Sequence, residues 1–385
     1  MFKKIFIVSS VVFVLALGIL FFFKKPIFLD FGKKTDKISN EPTKTEKSAE
    51  NKPVVEEKID SSKNSVATKI IEGDLKTAGF NSLNGKIYYF NNKNFLSADI
   101  DGKNTMPLAS YPFVRPQVVS FNQDFSQALI QDDGKFIVFD LNTKSISNLE
   151  NGVDWVVWDR LGGGIIYKYF DNETGKRTLK TAFPDQKNER DITEIPYKYL
   201  EILPNPKSEE VLIYPKPDGN VSGEVFLVDL LLKEKKKLID GKPGMDFLWS
   251  PDGKKLLYSQ TVDGAKDQIT LGIFEPDSGK FQDLKFPTSV RKCVWYQNST
   301  DVLCAFMAGI LPGSILPNDW QTGKIQTNDV LWKIDTQTGK KEKIYVPNKE
   351  DTPFDGSNFF LDKSEQKIFF IDKNTNDLIR IDVSN

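Results

Sequence analysis

Histidine is missing from all 385 residues. Its absence removes Ser-His-Asp and Cys-His nucleophile pairs and every His-ligated zinc or iron centre. The chain also has no GxSxG elbow, no HExxH helix and no GxxxxGK[ST] phosphate loop, so the enzyme classes read from those motifs are empty. An excess of either charge is lacking too. Lys and Arg number 52 against 53 Asp and Glu, a formal net charge of −1 that offers nucleic acid no attractive field. The lysine-rich tract KEKKK at 233–237 lies among acidic neighbours and reads as a solvated strand edge. Gly162, Gly163 and Gly164 precede the strand pattern IIYKYF rather than a helix, so they read as a hairpin turn and not as a phosphate cradle. These absences imply no metal and no cofactor.

A long hydrophobic run occurs once. Residues 5–23 carry no charge and end at Lys24-Lys25. As a helix they would span roughly 28 Å, close to the hydrocarbon thickness of a bilayer. Without a small-x-small cleavage site after it, the run reads as an uncleaved single-pass anchor, with residues 1–4 as a cytoplasmic tip and the rest of the chain outside, periplasmic or extracellular. Residues 24–65 are rich in Lys, Glu, Ser, Thr and Asn. That composition buries too little apolar surface to offset its ordering entropy, and it reads as a flexible tether reaching roughly 30–35 Å.

From residue 66 the texture changes to short apolar runs closed by Gly, Asn and Asp turns. In FLWSPDGKKLLYS (247–259) one strand ends at Trp249 and the next begins at Leu256. The same spacing follows Phe80, Phe121, Trp158, Pro204, Trp295 and Leu361, anchors separated by 41, 37, 46, 45, 46 and 66 residues. A period near 45 made only of strands predicts an all-β, seven-bladed β-propeller over residues 66–385. The last repeat has three strands, and VATKIIE (66–72) is an unpaired strand before the first, so pairing the two would close the ring.

WSPDGKKLLYS (249–259) is similar to the WD-like repeat of TolB-type β-propellers, and FLSADIDGKN (95–104) resembles the third strand and turn of those repeats. The resemblance implies an extracytoplasmic, non-catalytic propeller that binds proteins or ligands.

The anchor spacing pairs Trp295 with Val302 and so places Cys293 opposite Cys304, either as a cross-strand disulfide or as two reduced core thiols. The 66-residue interval exposes an insertion of about 20 residues in the sixth repeat, FMAGILPGSILPNDWQTGK (306–324), where loops at 171–177, 215–223 and 260–268 also lengthen on the same face. Its candidate contact residues are Asp319, Trp320 and Lys324. Trp320 is expected either as a plug in the channel or as a presented anchor. Asp154, Glu201, Asp246, Arg291, Lys292 and Asp355 begin the inner strands on that face. They would ring the channel mouth as a ligand-holding rim or as a solvated edge.

The function expected from these observations is a membrane-anchored, non-catalytic scaffold at the cell envelope. Its partners would be an envelope or cell-surface protein and, through residues 5–23, the lipid bilayer, with no nucleic acid. The alternatives are a glycosidase-like hydrolase using paired carboxylates and a small-molecule or sugar sensor.

Overall fold

Seven four-stranded antiparallel sheets stand around a central channel, as the repeat spacing predicts. The structure is a computed structural model describing residues 66–91, 93–161, 163–348 and 352–383. The anchor and tether expected at 5–23 and 24–65 lie outside the described residues. Among the described residues, no helix is long and apolar enough to cross a membrane.

Six blades are contiguous in sequence, at 75–110, 116–148, 153–194, 200–240, 246–286 and 293–345. The seventh joins three strands over 356–382 to the strand Ala67–Ile71 from the other end of the domain. That closing strand pairs antiparallel with Leu378–Asp382, Ala67 opposite Ile381 and Ile71 opposite Leu378. Inner strands run from an upper face, which carries the blade-to-blade connections, to a lower face that carries the tight turns. The closing strand runs upward, so the chain enters the propeller at its lower rim.

A twisted four-stranded sheet is apolar on both faces and must bury each against a neighbour. The interior accordingly divides into seven clusters, one at each blade boundary. Between blades 5 and 6, for example, Leu257, Leu271 and Phe286 meet Trp295, Val302 and Ile334. Three recurring tryptophans add a polar stitch. Trp158 Nε1 donates to Ser120 O (3.0 Å), Trp249 Nε1 to Leu203 O (3.2 Å) and Trp295 Nε1 to Leu248 O (3.3 Å), in each case one residue before the preceding blade's anchor. The WSPDG turn closes with Gly253 at φ 71°, and its carbonyl accepts from Asn205 Nδ2 of blade 4 at 3.0 Å.

Cys293 and Cys304 sit directly opposite each other and are joined by a disulfide, Cα–Cα 4.1 Å. One expected loop is different: residues 260–268 are mostly strand. Leu256–Val262 and Ala265–Glu275 form a long hairpin turning at Asp263-Gly264. Alternating residues such as Thr261 and Ile269 are buried there beneath the insertion of blade 6, so the pleat continues where a loop was predicted.

Candidate functional site

The blade 6 insertion, residues 309–327, connects the second strand, Asp301–Ala308, to the third, Asn328–Asp335. It crosses the upper face as a strap with its own small core of Leu316, Trp320 and Ile325 against Ile269 and Met307. Polar contacts fasten it to three other blades. Asn318 Oδ1 accepts from Gly219 N of blade 4 at 2.7 Å. On the blade 5 hairpin, Thr261 Oγ1 donates to Leu316 O at 2.8 Å and Leu316 N donates to Lys266 O at 2.8 Å. Lys373 Nζ of blade 7 donates to Trp320 O at 2.6 Å.

Trp320 belongs to the short helix Asn318–Gln321 and is only 3% exposed, so it is pinned rather than presented. Asp319 is also turned inward, a correction to its expected place as a surface contact. Its carboxylate accepts from Ile315 N (2.9 Å) and Lys324 Nζ (3.0 Å), the two groups that hold its pKa below the ordinary carboxylate value. Lys324 remains exposed.

Beneath the strap, the inner strand of blade 6 is preceded by a single 3-10 turn, Val290–Lys292, capped by the Ser289 side chain accepting from Arg291 N. Side chains on a 3-10 helix diverge by about 120° per residue. Arg291 and Lys292, adjacent in sequence, therefore enter different clusters. Lys292, fully buried, bridges Asp329 Oδ2 and Asp355 Oδ1, both at 2.6 Å, and donates to Gly356 O at 3.1 Å. Thr327 Oγ1 reaches both carboxylates, Trp320 Nε1 donates to Asp355 Oδ1 at 2.8 Å, and the backbone N–H of Gly356 donates to Asp329. Burial raises Asp329 more than Lys292 lowers it. At Asp355 burial is outweighed by Lys292, Trp320 and Lys373, and the carboxyl ends below its ordinary value. Burial, with the repulsion of Lys292, also lowers the Lys373 ammonium, which lies over the Trp320 ring at 4.0 Å.

Arg291 turns the other way. Its Nε donates to Asp246 Oδ2 (2.6 Å) and a terminal nitrogen to Glu201 Oε1 (2.8 Å), while Tyr214 donates to Asp246 Oδ1 (2.8 Å). Asp246 charge, with Glu201 and Tyr214, raises the guanidinium pKa, and burial raises that of Glu201 despite Arg291. The Arg291 side chain is still 42% exposed, and none of its hydrogen bonds goes to the strap. Asp154, further round the ring, pairs with the buried Lys168 at 2.9 Å.

The expected rim thus becomes two separate assemblies. Asp246, Lys292 and Asp355 are buried partners rather than a solvated edge, whereas Arg291 keeps access to solvent and covers a mostly buried Glu201. Asp329, Tyr214 and Lys373 were missed by sequence reasoning, because nothing local separates them from ordinary strand-end residues.

No family model matches the sequence, and no curated protein matches it. Solved structures do share the fold. An oligogalacturonate lyase in complex with manganese superposes with TM-score 0.61 at 11% identity, covering 84% of this chain and 94% of its own. An oligogalacturonate lyase from Vibrio parahaemolyticus gives TM-score 0.60 at 10% identity over 82% and 91%. The Cps50 β-propeller domain of Myceliophteria thermophila gives 0.53 at 12% over 83% and 100%. The two oligogalacturonate lyases are enzymes built on this fold, so the expectation of a non-catalytic chain loses the support it drew from the propeller architecture. A metal like that lyase's manganese finds no fitting donors here. Among the described residues no group of three His, Cys, Asp or Glu side chains is placed to hold an ion, and the channel carboxylates are already taken by Lys292 and Arg291.

Proposed function

We propose that this chain is a membrane-tethered propeller displayed outside the membrane, which engages an envelope protein or a polar ligand through its upper face. The observation that carries this reading is the asymmetric cover of the upper face: Trp320 seals the Lys292 cluster, while Arg291, paired to a mostly buried Glu201, stays 42% exposed. Exposed Tyr199, in the connection just before Glu201, adds an aromatic surface to the open sector. The apolar run at 5–23, the Cys293–Cys304 disulfide, which suits an oxidising compartment, and the TolB-like WSPDG turn support an extracytoplasmic location. The chain enters the propeller at the lower rim, on the side opposite the strap.

The test is proximity crosslinking on intact cells expressing the full chain, wild type against Tyr199→Ser, Arg291→Gln and, on the strap's exposed tip, Leu311→Ser. Loss of the same crosslinked species is expected from Tyr199→Ser at unchanged melting temperature, and from Arg291→Gln at a lowered one, because that change strips the buried Asp246 of its cation. An identical set of species in all variants overturns the reading.

A second reading is catalytic and rests on Glu201, a carboxyl raised by burial and held by Arg291 at the channel mouth, the environment of a general acid. Oligouronates, the substrate class named for two structural relatives, are the first compounds to assay. Turnover abolished by Glu201→Gln supports it, and no turnover by the wild type counts against it.

A further inference from the structure

Lys292 and Asp329 place an amine nitrogen and a carboxyl group in contact where neither side chain reaches solvent. Nζ lies 2.6 Å from Asp329 Oδ2, one bond away from the carboxyl carbon. Folding has already met the entropy of bringing the two together, so they are held as reactants within one molecule. Trp320 and the strap close the site above them.

The two carboxyls around Lys292 differ in kind. At Asp329 burial outweighs Lys292 and raises the pKa, which favours the neutral acid, the form whose hydroxyl can leave as water. Its Oδ2 also accepts the Gly356 backbone N–H at 2.8 Å, a donor placed where charge gathers during attack at Cγ. Asp355 is the opposite case. Lys292, Trp320 Nε1 and Thr327 Oγ1 all donate to its Oδ1, and against the pull of burial they hold it below its ordinary value, an anion able to accept a proton. Neighbouring carboxyls pushed apart in this way divide into acid and base.

We infer that Lys292 and Asp329 condense into a covalent isopeptide bond, with Asp355 as the proton acceptor. The ion-paired contacts are the reactant state of this bond. Asp355 takes one proton from the ammonium, and the freed Nζ forms a bond to Asp329 Cγ. A Cγ–O bond of the protonated Asp329 carboxyl breaks, and its hydroxyl leaves as water with a second proton from the nitrogen. The products are one amide, one water and a protonated Asp355, and no oxidant or cofactor takes part. Two buried charges disappear, which relieves the cost of keeping them out of water. The bond joins the 3-10 turn before the inner strand of blade 6 to the third strand of the same blade, beside the end of the strap.

Mass spectrometry of the full chain, reduced at its disulfide, tests this. The wild type should be lighter than its sequence by one water. Trypsin should cut after Arg291 but not after Lys292, and segment 292–324 should appear joined to 325–333. Asp329→Ala removes the electrophile and Asp355→Ala the proton acceptor, so both chains should keep their full mass and be cut after Lys292. The wild-type digest decides the matter even if these variants fail to fold. Separate segments at the full sequence mass overturn the proposal. So does a lost water with the segments separate, which would lie in a succinimide at an Asp-Gly pair such as Asp355-Gly356. An Asp355→Ala chain joined to the wild-type extent overturns the role given to Asp355.

Discussion

The Trp320 indole nitrogen donates to Asp355 Oδ1 at 2.8 Å, tying the strap of blade 6 to the first residues of blade 7. Lys292 and Lys373 lie over the same ring, 4.9 and 4.0 Å from its centre, so one side chain joins a buried ion cluster to the segment that covers it.

Removing that side chain should therefore loosen the strap. Trp320→Phe keeps most of the ring but leaves Asp355 short of a donor, an expected cost of about 1–2 kcal/mol. Trp320→Ala adds a cavity and should cost about 3–5 kcal/mol. Urea unfolding with intrinsic fluorescence reads both. An alanine variant as stable as the wild type would show that the strap is not held by this residue.

Lys292→Met strands two buried carboxylates and should destabilise by about 3–5 kcal/mol. Adding Asp329→Asn and Asp355→Asn removes the uncompensated charge, and the triple variant should recover a measurable part of the loss. Additive losses across the series would refute the coupling.

Gly219 tests the fastening to blade 4. A Cβ there would lie 2.1 Å from Leu316 O, a backbone atom that cannot swing aside. Gly219→Ala should detach this end of the strap, seen as faster amide exchange in 309–327 while blades 1 to 3 are unchanged.

Acid stability follows from the turn aspartates. Asp171 is lowered by the Thr174 hydroxyl and by backbone N–H groups, and Asp335 chiefly by the Thr338 N–H. Their folded pKa values lie below the unfolded one, so the stability they confer is fully present above about pH 4 and is lost as pH falls through the folded values. The wild type should weaken below about pH 4. Asp171→Asn/Asp335→Asn should flatten that decline in denaturant titrations, and an unchanged slope would contradict the assignment.

The disulfide closes a short loop, since its cysteines are 11 residues apart. Loop-closure entropy gives it at most about 3 kcal/mol. Alkylation without reductant should label neither cysteine, and reduction should lower the melting temperature without unfolding the protein.

The architecture was legible because it repeats. Seven anchors at near-constant spacing reveal blades even where each turn is ordinary, and a 66-residue gap locates an insertion without saying how it folds. The site was legible only as a set of charges on one face. Pairing depends on distances between residues far apart in sequence: Lys292 meets Asp329 and Asp355, 37 and 63 positions away, and no local pattern encodes that meeting. The choice between a buried and a presented Trp320 likewise stayed open, because its partners Asp355 and Lys373 come from the next blade.

The closing strand sets an order in time. Ala67–Ile71 is synthesised before the six contiguous blades, and its partner, Leu378–Asp382, only after them. Throughout that interval the first strand offers an open row of amides and carbonyls at the edge of an unfinished ring. A nascent propeller therefore stays vulnerable at its closing strand until the seventh blade arrives.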